Sequence, residues 1–583
     1  MNECDLVLKG GVTSGVVYPH AIVEVARTYR LRNIGGTSAG AIGAAVAAAA
    51  EFRRQSSPDG ADFTGFEMTA AIANELGADL LGLFQPSPRL AGLFAIAMAA
   101  LGADRRQRVR RVLSAMLTAF PWHFVVPAVL ALALIVPGML TASWALLLLG
   151  ILVGLVVLLG GLAFAVARAV LVTLPEHDFG ICSGLTQASS QAPALTNWLA
   201  DKIDLVAGND PTGAPLTVRQ LATAGISIAA VTTDLSSGRP YQLPLKSKHH
   251  YFSEAEFKRL FPERVIKYLV GEQQPLAGAT PADLYQLPVG ADFPVILVAR
   301  MSLSFPGLIR AVPLYRFDDQ MPRPAGDRAK LQRCLFSDGG ISSNFPIHFF
   351  DAFLPSRPTF GIMLTDWLAD RHGATRIFLP QKWRQSTDLP IARIDSLPAF
   401  LGAILQTARE WQDTLQSLLP GYAERIVEVR LDPAHEGGLN LSMDKPTIDR
   451  LTEYGREAGI ALTTGFDFDE HRWRRAISLL PELEDTLRGF AETLDQPPAG
   501  SPAGAFTYAE ILTRYEPKSY DNSQTWRDTV LGPFAAAVAA VGAAAEARRD
   551  EATGRTVAGG NVPAVDSHIR LVADTDRAPQ HNA

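Results

Sequence analysis

The sequence predicts an α/β protein, and three observations near its start predict it. Residues 5–8 are an apolar run typical of a buried strand, and a glycine-rich loop follows directly. Residues 16–29 then carry apolar side chains at helical spacing. A second strand over residues 31–35 leads through a glycine turn into the alanine-rich run 39–52, which favours a helix packed close to a sheet. Such alternation of strands and helices indicates an α/β fold.

The glycine turn contains the candidate nucleophile. Residues 36–40 read Gly-Thr-Ser-Ala-Gly, the G-x-S-x-G pattern of a sharp strand-to-helix turn with a serine at its apex. The two arms of such a turn lie against each other, so Gly36 and Gly40 occupy positions where a side chain would clash. The helix N-terminus beneath Ser38 favours negative charge there. The alternative is a glycine turn with an ordinary serine, and the flanking strand and helix favour the nucleophile.

The first glycine loop, residues 9–15, is the candidate oxyanion site. A glycine loop after a strand offers backbone N–H groups that bind a phosphate or a developing oxyanion. A nucleotide-binding loop is the alternative, but G-x-G-x-x-G is not matched and no Walker lysine follows.

Three motifs in order resemble the patatin-like phospholipase family. Residues 6–11 with the serine turn are similar to the start of its catalytic domain, and residues 299–307 are similar to the helix before its second catalytic block. That block resembles Asp338-Gly339-Gly340 here, followed by Asn-Phe-Pro at residues 344–346. The resemblance implies a three-layer α/β/α sheet and an acyl hydrolase.

The resemblance also implies the roles of individual residues. Ser38 would be the nucleophile and Asp338 the base of a serine–aspartate dyad, without histidine, metal or cofactor. Backbone N–H groups of the glycine loop and of the residue after the nucleophile would form the oxyanion hole. The implied oxyanion-hole residues are Gly10, Gly11 and Ala39, and the supporting glycines are Gly15, Gly36, Gly40, Gly339 and Gly340.

The glycine loop departs from the family pattern. Val12 and Ser14 stand where the family has its third glycine and a basic residue. This departure leaves the role of Ser14 open. It also supports a second hypothesis, in which the chain is a catalytically inactive, membrane-anchored lipid-binding scaffold.

A long apolar stretch interrupts the predicted catalytic domain. Residues 124–167 contain no charged side chain over 44 positions. A bilayer crossing needs about 20 apolar residues, so the run suffices for two. Breaks at 137–138 and 141–143 predict a helical hairpin with arms over roughly 119–139 and 143–168, and flanking arginines predict that both of its ends are cytoplasmic. The alternatives are a soluble core helix pair and a lipid-binding lid.

The remaining composition sets the context. The chain has 583 residues, 48% of them hydrophobic, and a net charge of −6, which does not indicate nucleic acid. Three separated cysteines predict free thiols in a reducing compartment, and the acidic N-terminus predicts no secretory signal. The predicted units are the first part of the catalytic domain (1–111), the transmembrane hairpin (112–175), the rest of the catalytic domain (176–465), a helical C-terminal region (466–550) and a disordered tail (551–583).

The predicted function is that of a membrane-associated serine acyl hydrolase that cleaves carboxylic esters of glycerophospholipids. A neutral-lipid lipase and an acyltransferase are alternatives, because the dyad chemistry is shared. The expected partners are a bilayer and a membrane lipid substrate. The oligomeric state is open; Gly150 and Gly154 form a G-x-x-x-G pair, a weak indication of a homodimer.

Overall fold

The computed structural model describes residues 1–11, 14–100, 105–317, 331–380, most of 391–407, and 421–549 apart from short gaps, with 556, 557 and 560. The predicted disordered tail lies almost wholly outside the described residues, as does much of a helix predicted over 397–418. Within the described part, most predicted strands and helices are present, so the α/β fold class is confirmed.

A large mixed sheet forms the centre of the protein. Its eleven strands run in the order β12-β13-β11-β1-β2-β4-β10-β9-β6-β7, with β5 also paired to β4. The strands are β1 Asn2–Leu8, β2 Tyr29–Gly36, β3 Gly180–Cys182, β4 Ser227–Asp234, β5 Arg239–Leu243, β6 Tyr251–Ser253, β7 Leu284–Gln286, β8 Gly307–Ile309, β9 Val312–Phe317, β10 Leu331–Asp338, β11 Thr359–Asp366, β12 Ile377–Phe378 and β13 Ile426–Leu431. The short strands β3 and β8 pair separately.

Parallel and antiparallel halves of this sheet meet at β4. Strands β13, β11, β1, β2 and β4 are parallel neighbours, and β10, β9, β6 and β7 continue antiparallel. The strands from β5 to β7, together with β9, were not predicted. Their sequences lack a long apolar run, so alternation over three to six residues gave little signal.

The helices lie between and after the strands. They are α1 Tyr18–Thr28, α2 Ala39–Ser56, α3 Thr64–Asp79, α4 Ala91–Ala100, α5 Arg105–Ala119, α6 Trp122–Leu140, α7 Trp144–Arg168, α8 Leu174–Glu176, α9 Leu195–Ala207, α10 Val218–Thr223, α11 Glu254–Phe257, α12 Glu263–Val270, α13 Val295–Ser302, α14 Ala369–His372, α15 Lys445–Gly465, α16 Phe468–Leu494, α17 Tyr508–Arg514, α18 Gln524–Trp526 and α19 Gly532–Arg548.

The two faces of the sheet are covered differently. Helices α1, α2, α13 and α15 pack on one face and around one another. On the other face, the ring of Phe350 lies against Gly35 and the ring of Phe345 against Gly361, where a Cβ atom would come within 2.8 Å and 2.6 Å of them. The described cover on this face thus includes a short segment after β10, together with Tyr422. The three-layer α/β/α arrangement implied by the resemblance is not confirmed.

Helices α6 and α7 form the predicted hairpin. Both are long and apolar enough to cross a membrane, and only 11% of each apolar window is buried within the protein. The turn between them lies at 141–143, whereas Pro137 stays inside α6. A Cβ atom at Gly154 would lie 2.7 Å from Ala131 Cβ in α6. The G-x-x-x-G pair therefore packs against the other arm of the hairpin.

A third apolar stretch lies in the C-terminal region. The continuous helical segment Gln524–Arg548 also has the length and hydropathy of a membrane span. Its α19 part packs along the charge-rich α16, where a Cβ atom at Gly542 would lie 2.1 Å from the Leu487 carbonyl oxygen. The sequence predicts a helical C-terminal region here but not a candidate membrane span.

Candidate active site

Ser38 has the strained backbone of a nucleophile turn. Its φ of 55° and ψ of −125° are rarely adopted by residues other than glycine. A Cβ atom at Gly36 would lie 2.3 Å from the Gly40 carbonyl oxygen, and one at Gly40 would lie 2.3 Å from that of Leu8. These contacts explain both glycines of the motif. The strain persists because β2 before the turn and α2 after it are fixed by the core.

Asp338 ends β10 and begins a turn. Its Oδ1 accepts a hydrogen bond of 2.7 Å from the N–H of Gly340. Its own carbonyl accepts from Thr233 Oγ1 over 3.0 Å. A Cβ atom at Gly339 would lie 2.0 Å from the Val231 carbonyl oxygen and 2.9 Å from Thr37 Cγ2. Glycine is therefore required after Asp338, and the turn lies directly against the turn of Ser38.

The strand pairing explains how two residues 300 positions apart come together. Gly36 pairs with Ala230 of β4, and Leu243 of β5 pairs with the same residue from the opposite edge. β5 also occupies that opposite edge at Thr232. Asp338 pairs with Thr232 as well, so it must lie on the edge of β4 that β2 occupies. Strands β2 and β10 thus meet end to end. Gly36 and Asp338 are two register positions apart, about 6.6 Å along β4.

The first glycine loop is held against this meeting point. The N–H of Gly10 donates to the Asn344 carbonyl over 2.8 Å. A Cβ atom at Gly10 would lie 2.0 Å from Asn344 Oδ1, which also lies near Gly340. The hydroxyl of Tyr18 donates to the Lys9 carbonyl, and burial raises the pKa of this phenol. Val12 and Thr13 lie outside the described residues.

The predicted oxyanion-hole donors are mostly engaged in this conformation. The Gly11 carbonyl accepts from Ser38 Oγ over 3.1 Å and from the Ala39 N–H over 3.2 Å. The Gly10 N–H already donates to Asn344. The three predicted donors are the N–H groups of Gly10, Gly11 and Ala39. Within the described part of the chain, only the Gly11 N–H has no acceptor. The Gly11 carbonyl thus takes up the N–H of Ala39, which the sequence predicts as an oxyanion-hole donor.

An apolar pocket opens beside the nucleophile. It encloses about 770 Å³ of empty space, part of it open to solvent, and Gly15 and Ala39 line it next to Ser38. Its other walls come from α1, α2, α3, α9 and residues 303–309. The apolar side chains that line it include Val16, Ile22, Val46, Ile72, Leu76, Leu83, Phe84, Leu195, Leu303 and Ile309. The pocket has the character of a site for a hydrocarbon chain.

Two residues at the site had no role in the sequence prediction. Ser302 Oγ accepts the N–H of Ser38 over 3.0 Å, and Asn344 closes the glycine loop. Both lie in motifs that carry the family resemblance, so the motifs located them, but spacing alone could not show which atoms they contact. Among the described residues, no group of three His, Cys, Asp or Glu side chains is placed to hold a metal ion.

No family model matches the chain. The chain is similar to the RpoH suppressor of Rhizobium meliloti strain 1021, with 36% identity over 556 residues that cover 82% of this chain and 85% of the relative. The chain belongs to the family of the RpoH suppressor. That name states no chemistry, so evidence for the reaction of the RpoH suppressor family comes from the geometry of the site.

Among solved structures, the fold is similar to VipD from Legionella pneumophila. The similarity has a TM-score of 0.29 and 12% sequence identity, and it covers 94% of this chain and 88% of VipD. At that TM-score, the likeness carries no argument about the fold or the activity of the RpoH suppressor family.

Proposed function

We propose that this protein is a membrane-associated serine acyl hydrolase that cleaves carboxylic esters of membrane glycerophospholipids. One observation carries the proposal. The strained Ser38 follows the end of β2, and this end meets the end of β10 that carries Asp338 on one edge of β4. A serine with φ of 55° is retained in a fold only when its placement matters more than the strain it adds.

The pocket supports a lipid as the acyl donor. Ala39 lies both at the pocket wall and next to the nucleophile, so a bound chain would present its carbonyl carbon to Ser38 Oγ. A pocket with apolar walls and few polar groups selects hydrocarbon over sugar or peptide. An ester of a long-chain acid meets both conditions.

The apolar hairpin supports a membrane source for that ester. Leu83 and Phe84 line the pocket, and the chain reaches α4, α5 and then the hairpin within the following forty residues. We place two crossings in α6 and α7, with the catalytic domain on the cytoplasmic side. We keep α19 outside the bilayer because it packs on the charge-rich α16, whose side chains would be expensive to bury in lipid.

In the proposed reaction, Asp338 takes the hydroxyl proton of Ser38 as Ser38 Oγ attacks the ester carbon. The C–O bond to the glycerol breaks, and the leaving oxygen takes the proton from Asp338. Water then loses a proton to Asp338 and attacks the acyl-serine. The bond between the acyl carbon and Ser38 Oγ breaks, Ser38 Oγ takes the proton back from Asp338, and the fatty acid is released. The Gly11 N–H and the helix N-terminus at Ala39 would stabilise the oxyanion once the Gly11 carbonyl has moved aside.

One observation favours a second candidate. Because the Gly11 carbonyl accepts from Ser38 Oγ and from the Ala39 N–H, the Ala39 N–H is not available to an oxyanion in this conformation. A chain fixed in this state would bind lipid in the apolar pocket without cleaving it. The second candidate is therefore an inactive, membrane-anchored lipid-binding protein.

Product analysis separates the two candidates. The purified protein is incubated with mixed phospholipid vesicles, and free fatty acids and lysophospholipids are measured by mass spectrometry. Hydrolase function predicts both products from the wild type and none from Ser38→Ala. Lipid that co-purifies uncleaved with the wild type and with Ser38→Ala alike would support the binding protein instead.

The topology is tested by cysteine labelling in sealed membranes. Single cysteines replace Arg111 and Thr173 on the two flanks, and Ala142 in the turn. The proposal expects both flanks to react only with reagent on the cytoplasmic side. Labelling of the two flanks from opposite sides would replace the hairpin with a single crossing.

A further inference from the structure

We propose that the end of α13, residues 300–304, is a positioning clamp that fixes the nucleophile and the base of the dyad relative to each other. The proposal rests on the proposed hydrolase function and names residues beyond the dyad and the glycine loop. Its evidence is a set of buried hydrogen bonds that reach both Ser38 and Asp338 from one turn of the chain.

Ser302 holds the nucleophile. Its Oγ accepts the backbone N–H of Ser38 over 3.0 Å, and both residues are almost fully buried. Ser38 is the N-cap of α2, so its N–H has no acceptor within the helix, and a buried N–H needs another partner. The Ser302 hydroxyl supplies that partner and thereby supports the strained backbone that exposes Ser38 Oγ.

Ser304 holds the base. Its carbonyl accepts the backbone N–H of Asp338 over 3.0 Å and the hydroxyl of Ser337 over 2.9 Å. Asp338 is thus fixed at its N–H by Ser304 and at its carboxylate by the following turn. Only Leu303 separates Ser302 from Ser304, so a shift of this short segment moves both dyad residues together.

Arg300 anchors the clamp. It is fully buried, and its four recorded hydrogen bonds all end on neutral oxygen atoms. One goes to Ser304 Oγ over 2.7 Å, and another goes to the carbonyl of Ser183, which follows the strand where the chain returns from the hairpin. Burial lowers the pKa of Arg300 to about 9, so the side chain remains a charged donor at neutral pH.

A buried guanidinium without a carboxylate is costly unless all of its donors are used. Here its hydrogen bonds tie Ser304 Oγ to Thr196 Oγ1 and to the carbonyls of Ser183 and Arg310. The chain that returns from the hairpin and the dyad therefore share one hydrogen-bonded support, since Ser183 directly follows β3, the first strand after α7 and α8.

The clamp makes a specific kinetic prediction. Ser302 Oγ does not line the apolar pocket, so its loss leaves substrate binding almost unchanged. It does loosen Ser38, and a misplacement of about 1 Å costs a reaction on the order of 100-fold. We therefore expect a fall in kcat with little change in KM.

The test compares Ser302→Ala, Ser302→Thr and Ser253→Ala in the full-length protein, with a soluble short-chain ester as substrate. Ser253 is an equally buried serine that caps α11 far along the sheet, so its loss removes a buried hydroxyl without touching the clamp. We expect Ser302→Ala to lower kcat about 10- to 100-fold with KM within about twofold, Ser302→Thr to recover most of it, and Ser253→Ala to leave kcat unchanged.

Each other outcome counts against a defined claim. Equal kcat for Ser302→Ala and wild type would overturn the clamp and leave the hydrolase function standing. A parallel loss of kcat in Ser302→Ala and Ser253→Ala would assign Ser302 a merely structural role. A wild type without esterase activity would refute the proposed function, and with it the clamp.

Discussion

The hydroxyl of Ser38 donates to the carbonyl of Gly11 over 3.1 Å, and the N–H of Ala39 donates to the same oxygen over 3.2 Å. One carbonyl therefore restrains both the candidate nucleophile and the N–H of Ala39, a proposed oxyanion-hole donor. For hydrolysis, a substrate oxygen must displace that carbonyl, and the glycines of the loop permit the change of backbone conformation. The conformation described here is the resting state of the proposed enzyme.

Replacement of Ser38 by glycine should stabilise the protein while removing its activity. Glycine adopts φ of 55° readily, and the strain of a non-glycine residue there is about 1–3 kcal/mol, partly offset by the greater freedom of glycine in the unfolded chain. We expect Ser38→Gly to be more stable by about 1 kcal/mol in denaturant unfolding, after that offset. Ser38→Ala keeps the strain and serves as the control, so equal stability of the two variants would contradict the strained turn.

Replacement of Asp338 by asparagine should abolish turnover without unfolding the site. The asparagine keeps the oxygen that accepts the Gly340 N–H but cannot take a proton. We expect kcat on a soluble ester to fall by about 10³-fold or more. His348→Ala is the comparison, because histidine is the usual base in serine hydrolases. An equal loss in His348→Ala would replace the dyad with a triad.

The sequence predicts the parts of this site that are local in the chain. The turn of Ser38 and the glycine positions around it follow from backbone sterics, which a short motif captures. The shared edge of β4 is not predictable in that way, because it depends on β5 occupying the opposite edge, and β5 is a short strand without a clear pattern. The contact between Ser302 and Ser38 spans 264 positions and exists only in the folded chain.

The hairpin shows a similar division. Its two helices follow from length and hydropathy, and the bounds differ from the prediction by only a few residues. The direction in which Gly150 and Gly154 face does not follow from the sequence, since lipid, a second copy and the other arm all accept small residues. Only the packing against α6 distinguishes these three neighbours.

A bulky residue at Gly154 should separate the two arms of the hairpin. A Cβ atom there would lie 2.7 Å from Ala131 Cβ, whereas one at Gly160 in the same helix would meet nothing within 4 Å. We expect Gly154→Leu to reduce crosslinking between cysteines placed on α6 and α7 in membranes, and Gly160→Leu to leave it unchanged. Equal crosslinking in both variants would contradict the close packing of the arms.

The stability of the protein should fall in acid partly because of His250. The His250 ring is buried against the rings of Tyr241 and Phe336. Its centroid lies 5.4 Å from the centroid of each, and the ring planes are nearly perpendicular. Burial lowers its pKa to about 3, with the nearby charges of Arg316 and Arg239 acting in the same direction. The unfolded chain binds a proton near pH 6.5 and the folded chain does not, so acid favours unfolding below that pH.

The size of the acid destabilisation follows from the linkage between proton binding by His250 and unfolding. Between about pH 6 and pH 4, His250 should lower the free energy of unfolding by about 1.4 kcal/mol per pH unit. His250→Phe keeps an aromatic ring and removes the titration, so its unfolding free energy should fall less steeply over that interval. The check is denaturant unfolding of both proteins at several pH values, and identical slopes would show that His250 is accessible to protons in the folded state.

Covalent labelling with a fluorophosphonate probe, followed by mass spectrometry of the labelled peptide, tests most directly whether Ser38 is the nucleophile. The probe modifies a serine only where that serine is activated as a nucleophile. We expect a single adduct on Ser38 in the full-length protein with lipid vesicles present. Ser38→Ala should carry no adduct, and labelling of Asp338→Asn should be strongly reduced. An adduct on a different serine, or an unlabelled wild type, would contradict the claim that Ser38 is the nucleophile.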